Sequence, residues 1–445
     1  MALAAASAAR WDPPEGESLA LAHMPSPTDA AAEDAFKLAA ALAGNAVEVL
    51  PEGALAEKLS SARAQERPLR VKLGIDPTAP DIHLGHAVVL RKLRELQDAG
   101  HRVVLIVGDY TARVGDPSGR SSLRPMLSPQ EIEANAATFQ EQALRILDPD
   151  PERLEVRRNS EWLDMPLADL LALAATTTAA QLLERDDFAK RLSARESISM
   201  LELLYPLLQA YDSVAVHADV ELGGTDQKFN LLLGRDVQRS YGQPAQAIMT
   251  MPLLLGTDGQ RKMSKSLGNQ IGVTDPPEEM FGKTMAIPDH AMADYYRLLL
   301  GRPIGTGARA PAAAGEHAGS EPAPAALSAR DAKRALARGL VAWLHSPEEA
   351  EAAERHFDRV FVAHEAPAEI EEASFDGDGG VVHLPGLIAA EFGISRSEAR
   401  RLIDQGGVTL GEASLAAGEH DVSGERADGE VLKIGKRRFR RLRAR

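Results

Sequence analysis

The sequence predicts an α/β protein with a parallel sheet, and three consecutive segments carry this prediction. Residues 69–75 (LRVKLGI) have the apolar character of a strand, and residues 83–100 place apolar side chains at helical spacing and stop at Gly100. Residues 103–107 (VVLIV) form an unbroken apolar run, which is typical of a buried strand in a parallel sheet. A strand, a helix and a second strand in this order form a βαβ unit, whose strands are parallel.

The remainder of the chain is mostly helical in pattern, with further strands placed between helices. Ser128, Pro129 and Glu131 combine a capping box with proline at the first helical position, so a helix is expected to begin there. Helices are expected to dominate from that point to about Asp212. Two strand-like stretches follow, one ending in LGGTDQ (222–227) and one near 248–255.

The chain of 445 residues divides into four predicted parts, in keeping with about 100–200 residues per domain. A Pro/Ala/Gly-rich segment is expected to be a flexible insertion, and the acidic, glycine-rich residues 365–380 are expected to be a linker. The parts are a disordered leader (1–34), a parallel-sheet domain (35–275), a helical domain (276–375, with the insertion 303–327) and a compact C-terminal domain (381–445).

Composition excludes several classes of protein. There is no cysteine, so disulfide scaffolds, cysteine-ligated zinc and thiol catalysis are ruled out. No stretch approaches the roughly 20 apolar residues that a membrane-spanning helix needs. The alanine-rich start has no basic region ahead of an apolar stretch, as a targeting signal would. We therefore expect a soluble, intracellular protein in the cytoplasm, without a membrane partner.

The charge is unevenly distributed along the chain. The net charge is −15 overall and +3 over residues 381–445, so the preceding 380 residues carry −18. Residues 433–445 contain eight basic residues and no acidic residue. A basic end on an acidic body indicates contact with nucleic-acid phosphates, although on charge alone a solvated terminus explains it equally well.

Two short motifs carry the candidate chemistry. His83-Leu84-Gly85-His86 stands where the first strand leads into its helix, and a helix N-terminus of this kind binds anions. By itself the motif is also compatible with a pair of structural histidines. Residues 262–266 (KMSKS) lie between glycines, so Lys262 and Lys265 are expected on a mobile loop that closes on a polyphosphate, with a solvated lysine loop as the ordinary alternative.

Together the two motifs resemble the HIGH and KMSKS signatures of the class I aminoacyl-tRNA synthetases. Four further strings, KLGIDPTAPDIHLGH, GDYTARVGDPSGR, YPLLQAYDS and LGGTDQKFN, are similar to the bacterial tyrosyl members of that family. The end of the chain, from GISRSEARRL to GKRRFRRL, resembles an S4 RNA-binding domain. The resemblance implies a Rossmann-like catalytic domain, then a helical anticodon-binding domain and a small α+β S4-like domain.

The resemblance also assigns roles to individual residues. Tyr205, Gln209 and Asp212 lie at helical spacing on one face, so they are able to converge on one ligand, although an ordinary amphipathic helix has the same pattern. Asp212 matches the family residue that meets the substrate phenol. The implied tyrosine pocket consists of Thr111, Asp116, Tyr205, Gln209, Asp212 and Gln227.

The remaining assignments concern ATP and RNA. The implied contacts to ATP are Gly74, Asp76, Gly85, Gly224, Asp226, Ser264 and Ser266. The implied catalytic groups around the ATP phosphates are Thr78, His83, His86, Arg120, Lys262 and Lys265. The implied RNA contacts in the S4-like segment are Arg400, Arg401, Lys436, Arg437 and Arg438.

One position departs from the family pattern. Many members have a tyrosine two residues before the equivalent of Gly74, where it helps to bind the phenol, and Lys72 stands there instead. The arrangement that recognises the phenol is therefore open at this stage, although Asp212 is present.

The resemblance implies activation of L-tyrosine with ATP and its transfer to the terminal adenosine of tRNA(Tyr), by a homodimer. Magnesium is expected to arrive with ATP, and neither a protein-held metal site nor a tightly bound cofactor is expected. Two alternatives remain from the sequence. One is a metabolic nucleotidyltransferase, which shares an HxGH-type helix start, and the other is an RNA-binding regulator that has a synthetase-like body without activity.

Overall fold

The computed structural model describes residues 27–78, 81–117, 127–301, 328–362, 370–375, 380–411, 413–435 and 438–445. The predicted insertion 303–327 and the first 26 residues of the predicted leader lie outside these ranges, and so do Arg120, Lys436 and Arg437. Residues 27–34, which the sequence assigned to a disordered leader, belong instead to the first helix.

The first sheet contains six strands in the described part of the chain. They are Glu48–Leu50 (β1), Arg70–Ile75 (β2), Arg102–Val107 (β3), Leu154–Arg158 (β4), Val220–Gly224 (β5) and Ala247–Met251 (β6). Their order is β1-β6-β5-β2-β3-β4, with β1 antiparallel to β6 and every other pair parallel. The predicted parallel sheet is confirmed. Strand β4 was missed, because its polar residues lie in a region that the sequence pattern assigned to helices.

Helices cover the two faces of this sheet, as expected for a Rossmann-like domain. They are Pro27–Leu42 (α1), Ala54–Ala64 (α2), Leu84–Asp98 (α3), Thr111–Val114 (α4), Pro129–Ala143 (α5), Ser160–Leu163 (α6), Leu167–Ala174 (α7), Ala179–Leu183 (α8), Asp186–Ser193 (α9), Met200–Ala215 (α10) and Lys228–Ser240 (α11). Helix α5 begins as predicted, since the Ser128 side chain accepts from the backbone N–H of Glu131 and the Glu131 side chain accepts in return.

A helical segment follows the sheet and shares its hydrophobic core. Its elements are Pro277–Ala286 (α12), Met292–Tyr295 (α13), Ala329–Leu344 (α14) and Pro347–Phe357 (α15), with π-helical turns at Tyr296–Leu300 and Asp358–Val362. Leu336 and Val341 of α14 belong to the same buried cluster as Val71 and Leu73 of β2. The helical segment therefore forms one continuous packing unit with the sheet.

The C-terminal part has a core of its own. Its elements are the strands Glu372–Phe375 (β7), Val381–His383 (β8), Val408–Leu410 (β9), Ala413–Ser414 (β10), Asp421–Ser423 (β11), Val431–Ile434 (β12) and Arg438–Ala444 (β13), and the helices Leu384–Phe392 (α16), Arg396–Asp404 (α17) and Gly424–Ala427 (α18). Strand β7 pairs in parallel with β13 in a five-stranded sheet. Residues 372–375 are thus part of this unit, whereas the sequence placed them in a linker.

None of the helices in the described part of the chain has the length and the apolar character that crossing a membrane requires.

Candidate active site

A cavity of about 510 Å³ opens between the carboxyl ends of β2 and β5. The order of the parallel strands reverses between these two strands, and such a switch point leaves a crevice in which α/β proteins bind ligands. The two strands pair only at Val71 with Val220 and at Lys72 with Glu221, and then separate. Beyond this point each strand stays paired with its other neighbour, β3 or β6, and the gap between the two strands forms the wall of the cavity.

Asp76, just beyond the end of β2, is the centre of the polar contacts in this cavity. Its carboxylate accepts hydrogen bonds from the hydroxyls of Thr111 (2.6 Å) and Tyr205 (2.8 Å). Burial is the main cause that raises the pKa of Asp76 to about 7, and the nearby carboxylates of Asp116 and Asp212 raise it further. Predicted as an ATP contact, Asp76 lies directly among residues predicted to bind tyrosine.

Asp212 lies on the face of α10 that points into the cavity. Its Oδ1 atom accepts a hydrogen bond of 2.8 Å from the indole N–H of Trp162. Burial raises the pKa of Asp212 to about 6, against the effects of the Lys72 ammonium and the Trp162 N–H, which lower it. The carboxylate is therefore mostly ionised at neutral pH, and one of its oxygens is held by an N–H donor.

The other predicted tyrosine contacts are joined in one hydrogen-bonded chain. The Gln227 side chain donates to Asp116 (2.9 Å), and the Asn230 amide donates to both Gln227 (3.0 Å) and Gln209 (2.8 Å). Arg185, which is almost fully buried, lies 3.4 Å from the Asp116 carboxylate. Asp116 is thus held in place from two directions.

His83 and His86 begin helix α3 as stacked rings, with centroids 3.9 Å apart. Burial lowers the pKa of His83 to about 2 and that of His86 to about 4, so both imidazoles are neutral at neutral pH. The backbone N–H of His83 donates to Nδ1 of His86 (3.4 Å), which leaves the proton of the neutral His86 ring on Nε2. A Cβ at Gly85 would lie 2.9 Å from the His83 ring, so glycine permits this stacking.

The two lysines of the KMSKS segment are paired with carboxylates on opposite sides of the cavity mouth. Lys262 lies 2.9 Å from Asp226, and Lys265 pairs with Asp81 next to the HLGH motif. Both side chains are about half exposed. Lys262 lines the cavity, whereas Lys265 does not.

The structure brings together nearly all the residues that were predicted to contact ATP or tyrosine. Those that line the cavity are Gly74, Asp76, Thr78, His83, Gly85, His86, Thr111, Asp116, Tyr205, Gln209, Asp212, Gly224, Asp226, Gln227, Lys262, Ser264 and Ser266. Lys265 is at the mouth, and Arg120 is outside the described residues. Arg400, Arg401 and Arg438 are exposed on the C-terminal unit.

Arg185 and Asn230 were missed by the sequence analysis, and so were three residues that follow strand ends. A Cβ at Gly108 would lie 2.1 Å from the Asp76 carboxylate, so only glycine fits there. The fully buried Asn159 donates to Thr111 (2.9 Å), and Trp162 donates to Asp212. All three follow the carboxyl ends of β3 and β4, where ligand sites of parallel sheets occur, so correct assignment of β4 would have indicated Asn159 and Trp162.

Comparison with known proteins agrees with this geometry. Residues 64–362 match the family model of the class I tRNA synthetases (W and Y). This match covers the cavity and both signature motifs, and the chain belongs to that family.

Within the family the chain groups with the tyrosine–tRNA ligases. It is 50% identical over 397 residues to the ligase of Moorella thermoacetica, covering 89% of this chain and 93% of that protein. It is 48% identical over 400 residues to the ligase of Thermotoga maritima, covering 89% and 95%. The solved tyrosyl-tRNA synthetase of Archaeoglobus fulgidus, complexed with L-tyrosine, superposes with a TM-score of 0.56 at 26% identity, covering 72% of this chain and 99% of that one.

Proposed function

We propose that this cavity activates L-tyrosine with ATP and that the chain then transfers the tyrosyl group to the terminal adenosine of tRNA(Tyr). The observation that carries the proposal is the position of the buried Asp212 carboxylate, which is held by the Trp162 N–H in a cavity that residues of both signature motifs also line. Membership of the tyrosine–tRNA ligase group is incompatible with the nucleotidyltransferase alternative.

The first step is displacement at phosphorus. A tyrosine carboxylate oxygen attacks the α-phosphorus of ATP, the bond from that phosphorus to the bridging oxygen breaks, and pyrophosphate leaves with the electron pair. No side chain of the protein needs to form a covalent bond, so the rate depends on positioning and on stabilising the charge that develops. In the second step a ribose hydroxyl of tRNA attacks the adenylate carbonyl, and AMP leaves.

Each group of residues has a place in this reaction. Asp76, Asp116 and Tyr205 surround the substrate ammonium, and Asp212 accepts a hydrogen bond from the phenol. The neutral His83 and His86 rings donate hydrogen bonds to ATP phosphate oxygens at the start of α3.

We expect magnesium to enter as part of MgATP, because this ion commonly retains water and phosphate ligands. Within the described ranges, no cluster of three or more His, Cys, Asp or Glu side chains has the arrangement to hold a metal ion.

The experiment that tests the function is pyrophosphate exchange by the purified chain with each of the twenty amino acids. Exchange that depends on tyrosine, followed by charging of tRNA(Tyr), is the expected result. Exchange with another amino acid would overturn the proposed substrate, and binding of RNA without any exchange would favour the regulator alternative.

Lys265→Ala is expected to lower the rate of adenylate formation about a hundredfold while changing ATP affinity little, because Lys265 lies outside the cavity lining until its loop closes on the phosphates. Pre-steady-state measurement of adenylate formation separates the two effects. Lys228→Ala is the matched control, since Lys228 is an exposed lysine that is also paired with a carboxylate, Glu48, but does not line the cavity. An unchanged rate with a raised KM for ATP would contradict this role.

Tyrosine binding is expected to tighten as the pH rises from 6 to 8. Asp76 has a pKa of about 7 in the free protein, and the bound ammonium favours its ionised form, so binding at pH 7 should release about half a proton. Calorimetry in two buffers of different ionisation enthalpy measures this release. Asp76→Asn should remove most of this release, with a small remainder from Asp212, and equal heats in both buffers for the wild-type protein would contradict the assignment.

We propose that the chain works as a homodimer in the cytoplasm. Helices α7 and α9 and the start of α10 expose large apolar side chains, and patches of this kind on soluble proteins mark association surfaces. The exposed side chains are Leu167, Leu171, Leu192, Met200 and Leu201. Leu171→Asp with Met200→Glu should convert the dimer to a monomer in light scattering, whereas a monomeric wild-type chain would contradict the proposal.

The C-terminal unit is proposed to bind tRNA as an S4-like domain. Its separate core and its exposed arginines on α17 and β13 support this role, since basic surfaces bind nucleic acid through phosphate charges. Strand β7 extends the unit to about residue 371 on its N-terminal side.

A further inference from the structure

Lys72 stands at a position where many family members have a tyrosine, yet it does not line the cavity. Its side chain is completely buried beneath the point where β2 and β5 separate. A buried ammonium is costly unless it is paired and fully hydrogen-bonded, so its partners indicate what it does.

All three N–H groups of the Lys72 ammonium have acceptors. They donate to the Glu221 carboxylate on β5 (2.7 Å), to the Ser213 hydroxyl (2.9 Å) and to the Gln209 backbone carbonyl (3.0 Å). The ammonium therefore has no donor left for a substrate phenol. Direct contact of Lys72 with the substrate is not its function.

Two of these acceptors are on α10 and flank Asp212 in the sequence. Lys72 therefore joins the helix that carries Asp212 to both central strands of the sheet. The second oxygen of Glu221 accepts from Ser213 (3.1 Å) and from the Gln246 side-chain amide, which completes the buried network.

The charges around Asp212 come from several elements. Lys72 on β2 is the cation that lowers its pKa most, Glu221 on β5 acts in the opposite direction, and Asp76 lies beyond the end of β2. A Cβ at Gly74 would lie only 3.9 Å from the Asp212 carboxylate, so this strand passes directly beside it.

We propose that Lys72 is a positioning residue for tyrosine specificity: it fixes the helix that presents Asp212 and places a positive charge behind that carboxylate. Asp212 is thereby held ionised, as an acceptor for the phenol hydroxyl. This inference rests on the proposed contact between Asp212 and the phenol.

The test uses two variants with opposite expected effects. Glu221→Gln removes the negative charge that raises the pKa of Asp212, and its side-chain oxygen remains an acceptor for the Lys72 ammonium. Lys72→Met combined with Glu221→Gln removes both charges and leaves no unpaired ion in the interior. Lys92→Met is the control, because Lys92 is also buried and paired with a glutamate, but on α3 and outside the cavity.

The measurement is the ratio of kcat/KM for tyrosine to that for phenylalanine in pyrophosphate exchange, followed from pH 5 to 8. Because both substrates bind through the same ammonium contacts, those contacts cancel in the ratio. The pH at which the ratio is half-maximal therefore reports the pKa of Asp212. We expect this midpoint to rise by about one pH unit in the double variant, so that the ratio falls about fivefold at the wild-type midpoint and about tenfold one unit below it. In Glu221→Gln we expect the midpoint to fall. Lys92→Met should leave it unchanged.

Opposite shifts cannot arise from loosened packing alone. An unchanged midpoint in both folded variants would overturn the role of Lys72, and so would an equal fall in kcat/KM for tyrosine, phenylalanine and ATP. Asp212→Ala, measured in parallel, distinguishes failure of the inference about Lys72 from failure of the proposed Asp212 contact. If Asp212→Ala abolishes the preference for tyrosine while the other variants leave the midpoint unchanged, the inference about Lys72 fails and the proposed function stands. If it leaves the preference intact, the Asp212 contact is wrong and the inference fails with it.

Discussion

Replacing Asp212 with alanine is expected to remove nearly all preference for tyrosine over phenylalanine. A site that hydrogen-bonds a substrate hydroxyl rejects the analogue that lacks it by about 10⁴–10⁵, a magnitude established on tyrosyl enzymes themselves. In this cavity Asp212 has one oxygen bound to the Trp162 N–H, so the carboxylate is oriented before substrate arrives. Comparison of kcat/KM for the two amino acids in pyrophosphate exchange measures the loss.

Two further variants show whether the loss comes from the phenol contact. Asp212→Asn retains an acceptor for Trp162, so it should keep the packing while weakening the preference for tyrosine. Trp162→Phe removes the donor but leaves the carboxylate, and a smaller loss is expected. If Asp212→Ala still discriminated normally, another group would have to contact the hydroxyl, and the assignment of this residue would be wrong.

Removing the C-terminal unit is expected to lower tRNA charging about a thousandfold at physiological salt and to leave tyrosine activation intact. Residues 433–445 contain eight basic residues, and losing several phosphate contacts weakens binding by factors of this size. Every described residue assigned to ATP or tyrosine lies before Leu267, and none belongs to the C-terminal unit. Pyrophosphate exchange and tRNA charging, measured side by side, separate the two activities.

The position of the cut matters for this experiment. A chain ending at residue 380 would keep β7 without the sheet in which it pairs, so the truncation should end before residue 370. The tRNA binding that remains should also depend less on salt. The slope of the logarithm of the binding constant against the logarithm of salt concentration should flatten by about one unit for each lost phosphate contact. Unchanged charging would show that the basic end is a solvated terminus, and loss of both activities would show that this unit supports the catalytic fold.

The predictable part of the site was the part that depends on local sequence. Asp212 and Tyr205 lie on one helical face whatever the tertiary structure, and a helix start after a buried strand places His83 at a strand end. Because the carboxyl ends of parallel strands share one edge, these local features meet in one cavity.

The remaining part depends on register and on distant neighbours. The position of Lys72 beside Glu221 follows from the pairing of strands 149 residues apart, which periodicity does not reveal. Strand β4 has a polar pattern, so Trp162 was not recognised as a residue at a strand end. The role of Gly108 depends on the Asp76 carboxylate approaching from another strand.

The central claim is that one cavity holds tyrosyl-adenylate with its phenol on Asp212. A crystal structure of the complete chain with a non-hydrolysable tyrosyl-adenylate analogue tests this claim most directly. We expect the phenol oxygen about 2.7 Å from a carboxylate oxygen of Asp212, the ammonium beside Asp76 and Tyr205, and no contact between the ligand and Lys72. An analogue bound with its phenol directed away from Asp212, or bound outside the crevice between β2 and β5, would contradict the account.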